Sequence, residues 1–518
     1  MKPVGYAYLN LHYDLRLPKL GVEVYQDPNA EKEQLIQYGG SKRKVIPGHL
    51  KYDDNPYWQM HAAIKNQGIR LHFFAAVYKK INVTEFTAFI LDKPTSQYNR
   101  VLWFLYEWLT GRKLDIPDLK SSNYIKLFED EFYYTLGNGQ KDKRTRVINN
   151  ALGTPEFCPT IRKTADISQL DEADVYKTAF AKMQRIGEQL SVDVIGRSVN
   201  YLYTKETKSS TEIEREKPNR QRMQRFLNAI KNVGLYELNK HSLINVQNQI
   251  VDERFKSVDY RESEIYVGTT IQRFGNRDED VHYVGAKQEH VASMMNGLFK
   301  LHENLMIDGS VPPLFHATLI SFGEVYIHPF DDGNGRIHRY LIHDVMKHRE
   351  PVHKFIIPIS AAILKNQQKY DRVLETISIP IMAMLDYEFD HSNKIVINND
   401  IDYMYRFPDY TEHVKFVYEM MDTAISDDLL KEVCLLTVFD RLKKFINENA
   451  DLPNTKIDMV LSIIIQNGGE VPNRKRKQLE ALVDGPILKE LEQLAIHLIE
   501  EIKDKFEIDV VAVMNEEI

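Results

Sequence analysis

The run His-Pro-Phe-Asp-Asp-Gly-Asn-Gly-Arg-Ile-His-Arg, from His328 to Arg339, gathers more chemistry than any other part of the chain. It sits between PPLFHATLISFGEVYI and RIHRYLIHDVMKH, two apolar-rich stretches that both read as helices. Pro312 and Pro313 suit the start of the first helix, because proline's fixed φ is already helical and its missing N–H is not needed there. The D-G-N-G loop therefore places Gly333, Asn334 and Gly335 at the N-terminus of the second helix. Glycine lets backbone N–H groups approach a ligand closely, and the helix dipole favours negative charge, so this loop is a recipe for an anion site. Arg336 and Arg339 are three apart in the first turn and can face one anion. Arginines ordinarily favour the other end of a helix, so two here need an anionic partner. Phosphate fits. Asp332 beside it is a hard-oxygen ligand for Mg²⁺, which needs few protein ligands when phosphates and waters fill its shell. His328 faces the same loop and titrates near neutrality, as a general base should.

Each piece has a plainer reading. G-N-G alone is mostly a turn, and a single histidine is more often a satisfied residue than a base. The whole string is different: with eight constrained positions, average residue usage gives roughly one chance in 10¹⁰ per start position. Accident is excluded.

The elements around the string follow from periodicity. SQYNRVLWFLYEWLTG carries apolar residues at helical spacing, with Gly111 suited to its C-terminal cap. RTRVINNALGTPEFCPTIRKT, with Gly and two prolines, reads as an exit from a first domain. From Gln169 the pattern is helical, interrupted between Tyr266 and Val284 by two β-prone runs around a Gly/Asn/Asp turn, a hairpin. Helical pattern resumes at Gln288 and continues, with loops, to about Leu385, then again from about Asn398. The fold expected is mainly α, in three parts: a mixed α/β domain at 1–165, a helical core with its hairpin at 166–395, and a helical part at 396–518.

The string resembles the signature of the Fic family, H-x-F-x-[DE]-G-N-G-R-x-x-R, with every constrained position filled. The resemblance implies a helical core and a nucleotidyl transferase, usually moving AMP from ATP onto a protein hydroxyl. It further implies that His328 deprotonates the target Ser, Thr or Tyr and that Phe330 anchors the loop. Asp332 would hold Mg²⁺. Gly333, Asn334 and Gly335 would form the anion loop, with Arg336 on phosphate and Arg339 on the γ-phosphate. The hairpin at 266–284 lies where Fic proteins carry a flap, whose exposed edge takes the target segment as an added strand. K-Y-D-R-V-L around Tyr370 resembles the family's tyrosine segment near adenine. Many Fic proteins also carry an inhibitory helix, [ST]-x-x-x-E-[GN]. Ser210 to Arg215, S-T-E-I-E-R, matches it with Arg215 in the last place. Ser210 and Glu214 lie one helical turn apart on one face. A Glu214–Arg339 pair would take the place of the ATP γ-phosphate. Against this, the surrounding TKETKSSTEIEREK is a charge run of the kind that usually covers a solvated face.

Composition bounds the alternatives. The chain has 518 residues, 43% hydrophobic and 27% charged, with a net charge of −7, which argues against a nucleic-acid coat. Two cysteines, Cys158 and Cys434, cannot make a disulfide framework, and a reducing cytoplasm is the expected compartment. No signal peptide or membrane span is read. The basic cluster Asn473–Lys477 could face DNA, but four charges in five residues are more often a solvated helix start. Three functions therefore compete: an AMP transferase using ATP and Mg²⁺ and restrained by Glu214, a Fic transferase with another phosphate-containing donor, and a nucleotide sensor whose C-terminal part contacts DNA. The partner expected is a hydroxyl-bearing protein, with self-modification and oligomers both open.

Overall fold

The structure is a computed structural model, and it describes residues 1–38, 41–49, 53–120, 123–171, 174–186, 192–217, 219–273, 276–352 and 355–516. The chain is mainly helical and forms two compact units, each assembled from three separate stretches.

The first unit comprises Met1–Glu172, Val233–Arg349 and Gln368–Phe416. Its N-terminal part carries a four-stranded sheet in the spatial order Lys2–Val4, Val22–Asp27, Ser41–Pro47, Gln34–Tyr38, whose central pair is parallel. The aromatic-rich helix runs from Gln97 to Thr110 and stops at Gly111, whose φ of 67° makes the expected left-handed cap. Trp103 on this helix is fully buried, so its aromatics are core. The Gly/Pro-rich stretch after it is tied into the unit. The Cys158 N–H donates to the Arg406 carbonyl at 2.8 Å, the Thr160 N–H donates to the Pro408 carbonyl at 2.9 Å, and Phe157 is fully buried.

Six helices carry or flank the residues singled out in the sequence: α1 (Val192–Ile213), α2 (Lys240–Ile250), α3 (Gln288–Asp308), α4 (Pro313–Ile327), α5 (Asn334–Arg349) and α6 (Gln367–Met382). In α4 the apolar residues run almost all round, and from Leu314 to Ile327 only Val325 is not fully inside. A helix with no polar face must be a central one. Helices α3 and α5 both pack on it. The hairpin expected near 266–284 is present as Tyr266–Arg273 paired with Asn276–Val284, with an irregularity between Val267 and Gly268. Its base rests on a second small hairpin, Tyr387–Phe389 with Ile395–Ile397, through Val284, Ile395 and Ile397.

The second unit comprises Ala173–Asn232, Glu350–Gln367 and Val417–Ile518. Helix α1 packs there on Ile359–Lys365 and Leu430–Asn449. Polar pairs fix that packing: fully buried Glu206 accepts the Ser360 N–H at 2.9 Å, and buried Asp428 meets Lys205 and Lys365, each at 2.8 Å. The basic cluster opens a helix, Asn473–Glu480, and its Arg476 is paired with Glu492 at 2.7 Å. Among the described residues no helix is long and apolar enough to cross a membrane.

Candidate functional site

Helix α4 ends on His328, which adopts the left-handed conformation (φ 56°, ψ 61°). Its N–H still closes the helix on the Glu324 carbonyl at 2.9 Å, so the chain turns sharply at the histidine itself. The ring Nδ1 lies 3.0 Å from the Val325 carbonyl. A carbonyl only accepts, so Nδ1 carries the proton and Nε2 is the basic nitrogen. The hydrogen bond selects the tautomer that a general base requires.

The loop after it is built from its own backbone. Asn334 Oδ1 accepts the Phe330 N–H at 3.0 Å, and its Nδ2 donates to the Phe330 carbonyl at 2.7 Å. Phe330 and Asn334 are buried, so the pair pins the loop where a polar group without partners would be costly. Gly333 has φ +96°, and a Cβ there would lie 2.8 Å from Val251 Cγ1, so only glycine fits. Gln247 on α2 donates to the Asp332 carbonyl at 3.2 Å.

Arg336 and Arg339 are both almost fully buried at the start of α5. Arg336 Nη2 meets Asp332 Oδ1 at 3.0 Å, and the Asp332 side chain keeps 27% of its surface exposed. One part-exposed carboxylate beside a helix N-terminus and two buried guanidiniums is the donor set a Mg²⁺–nucleotide needs, since phosphates and waters complete the metal's shell. Bound there, the metal would supply charge neutralisation of the phosphates, with Asp332 as its protein ligand.

Several groups that hold the site carried no local sequence signal. Arg261, in the loop before the flap, has no exposed side-chain surface. Its Nε donates to the His328 carbonyl at 2.7 Å, Nη1 to Ser263 at 2.6 Å, and Nη2 to Ala286, while its own N–H donates to the Pro329 carbonyl at 2.9 Å. One guanidinium thus ties the histidine turn to the base of the flap. Burial holds the Arg261 pKa below its ordinary value, and the nearby Glu264 carboxylate opposes that. A Cβ on Gly285 would come within 3.0 Å of His328 Cβ, so a glycine at the flap's foot is what admits the histidine. Glu324, one turn before His328, is fully buried and its carboxyl oxygens have no hydrogen-bond partner among the described residues. Burial pushes its pKa well up.

The other sequence-derived residues lie as follows. Tyr370 on α6 is buried, and its ring stacks near His338 of α5 (6.1 Å, 15°) and Phe416 (5.8 Å, 26°). The α5 helix that carries Arg336 and Arg339 is thereby in contact with the Tyr370 segment. Gly335 is the second residue of α5. Ser210 is buried near the end of α1, in the second unit, and Glu214 follows the last helical residue. Arg215 then takes φ 55°, its N–H donating to the Glu212 carbonyl at 2.9 Å and the Glu216 N–H to Thr211 at 3.4 Å. These two bonds are a Schellman motif, whose left-handed residue is usually Gly or Asn. The place where S-T-E-I-E-R departs from the family pattern is thus the helix-capping position.

The site thus joins a histidine in a left-handed turn, a glycine-built helix start and two buried arginines behind it. Residues 237–346 match the Fic/DOC family. No curated protein matches the chain. Among solved structures, it is similar to a Fic domain containing signaling protein from Bacteroides thetaiotaomicron VPI-5482, at 16% identity and a TM-score of 0.34 over 50% of this chain and 97% of that one. A Fic family protein from Desulfovibrio desulfuricans G20 is similar at 15% identity and a TM-score of 0.33, over 61% of this chain and 87% of the other.

Proposed function

We propose that the chain is a Mg-dependent protein adenylyltransferase that moves AMP from ATP to a Ser, Thr or Tyr hydroxyl. The observation that carries this reading is the Nδ1–Val325 hydrogen bond, which leaves His328 Nε2 as the base beside an intact anion loop. In the proposed reaction the hydroxyl oxygen attacks the α-phosphorus of ATP and its proton passes to Nε2. The bond from the α-phosphorus to the bridging oxygen of pyrophosphate breaks, leaving an AMP ester on the target. Arg336 and the N–H groups of the loop hold phosphate oxygens, Arg339 orients the γ-phosphate, and Tyr370 belongs to the adenine side. The target segment pairs with an edge of the 266–284 hairpin, donating backbone hydrogen bonds that are indifferent to its sequence. This chemistry is suited to the cytoplasm, where ATP is abundant.

Restraint by Glu214 is part of the same proposal. A Schellman-capped α1 gives the glutamate a defined position at the helix end, and Arg339 is the cation it would withhold from the γ-phosphate. Glu214→Gly is expected to raise AMP incorporation, self-modification included, by about an order of magnitude or more, since a misplaced reacting group costs ~10²-fold. The gain should disappear in the Glu214→Gly, Arg339→Ala double variant. An unchanged rate in Glu214→Gly, with ATP binding intact, would discard the inhibitory role and leave the catalytic one standing.

A further inference from the structure

Away from the Fic motif, the first unit holds a cavity of about 460 Å³ between the N-terminal sheet, α6 and the segment 404–412. That size lies within the range of small-molecule sites. One wall is apolar: Leu20 and Val24 from the N-terminal part face Ile377, Met404 and Phe407. The other is built around Asp409, whose Oδ2 accepts from both Arg70 Nη1 at 2.6 Å and Arg162 Nε at 2.7 Å. Its Oδ1 accepts the N–H and hydroxyl of Thr411 at 3.1 and 2.5 Å. The two guanidiniums hold this carboxyl down at about 2, and it is ionised throughout the physiological range.

The charges here do not cancel. Two guanidiniums that never lose their protons share one carboxylate whose oxygens are already committed. One positive charge is left over on this wall, where the Arg70 side chain is 13% and the Arg162 side chain 38% exposed. Lys19 and Lys44 add to the positive side of the cavity, Glu412 subtracts from it, and Lys44 is itself 3.1 Å from Glu33. The net remains cationic. A second cavity of about 350 Å³ shares Arg70 and Arg162, so the pair is lined by open space on more than one side.

We propose that this cavity binds a small organic anion. Its carboxylate, sulfonate or phosphate head would sit on Arg70 and Arg162, and its apolar body would lie against Leu20, Ile377 and Phe407. The head satisfies the surplus charge, and the body covers apolar wall. The site is separate from the His328 loop and takes a different ligand. Its occupation braces α6, the helix that also carries Tyr370.

The probe that tests this is 1-anilinonaphthalene-8-sulfonate, with N-phenyl-1-naphthylamine as the same body lacking the anion. Both are titrated by fluorescence into the 518-residue chain. The sulfonate should saturate one site and bind about tenfold or more tighter than the neutral amine, the difference expected of a charge-assisted contact. Arg162→Gln should remove most of that preference and leave the neutral probe unchanged. Arg162 is the more exposed arginine, and its loss leaves the Arg70–Asp409 pair in place. Leu20→Trp, in a loop before the strand and outside the ion pair, should fill the cavity and abolish binding of both probes while the circular dichroism spectrum is retained. Equal binding of the two probes by the parent protein would overturn the proposal. So would sulfonate binding that persists unchanged in both variants. Failure here leaves the adenylyl-transfer reading untouched, because neither variant alters the His328–Arg339 loop.

Discussion

Replacing Arg261 by lysine asks whether the geometry of His328 is imposed from outside its own loop. The guanidinium reaches three carbonyls in three directions, those of His328, Ser263 and Ala286. Lysine keeps the charge but carries its donors on one nitrogen and cannot reproduce the fork. Holding a non-glycine residue in the left-handed region costs roughly 1–2 kcal/mol. A hydrogen bond from a charged donor contributes roughly 1.5–3 kcal/mol, so the Arg261 bond to the His328 carbonyl is large enough to offset that strain. Without it the turn relaxes, and the productive orientation of Nε2 is expected to fall to about a tenth or less of the population. The kcat for AMP transfer should drop about 10- to 100-fold, with the KM for ATP changed by less than about threefold, because no phosphate-facing group is removed. The measurement is steady-state transfer from α-labelled ATP, with a urea midpoint taken on the same preparation. A folded Arg261→Lys protein whose kcat stays within about twofold of the parent would refute the reasoning and make Arg261 a structural residue only.

Gly333→Ala forces a Cβ to 2.8 Å from Val251 at a φ of +96°, so stability should fall by about 1–3 kcal/mol and nucleotide affinity with it, read by urea unfolding and ATP titration. Arg215→Asn places a residue that tolerates the left-handed cap at φ 55°, and the urea midpoint should rise by the equivalent of about 0.5–1 kcal/mol; a lower midpoint would contradict the capping assignment. Acid should destabilise the first unit well before its carboxylates titrate. Burial, chiefly, holds His302 at about 4 and His338 and His413 at about 3, and puts His316 well below its ordinary value. Each is neutral in the fold and near 6.5 when unfolded, so their stabilisation is complete above pH 6.5 and declines as pH falls toward the folded values. His348, raised by its Asp344 partner, works the other way, its contribution being lost as pH rises through the folded value. A loss on the order of a few kcal/mol between pH 6.5 and 5 is expected, and a flat urea midpoint across that window would refute it.

Much of the His328–Arg339 loop could be read from the sequence because its rules are local. Glycine at a positive φ, two prolines before a helix and arginines at the wrong helix end all leave marks in a string of a dozen residues. The aromatic helix ending at Gly111 and the hairpin near Tyr266 were legible for the same reason. What was not legible acts at long range. Arg261 is one arginine in an acidic stretch, and the partners of its guanidinium are backbone carbonyls contributed by residues up to 67 positions away, which no side-chain pattern marks. Gly285 looks like any turn glycine until His328 is seen against it. The hairpin that supports the flap, Tyr387–Phe389 with Ile395–Ile397, has strands of three residues, too short for a period-two signal to emerge. Phe157 sits in a stretch whose glycine and prolines point to an exit, and only packing shows that it enters the core. Arg215 appeared as a departure from a pattern whose reason, a left-handed cap, is a backbone property.

The most direct test of adenylyl transfer uses the parent protein and His328→Ala, each incubated with Mg²⁺ and ATP labelled at either the α- or the γ-phosphate. Covalent protein label should come from the α-phosphate alone. In His328→Ala it should fall by about 10²–10⁴-fold while ATP binding stays nearly unchanged, since the histidine moves a proton and holds no phosphate. Label arriving from the γ-phosphate, or transfer that survives in His328→Ala, would contradict the proposed chemistry.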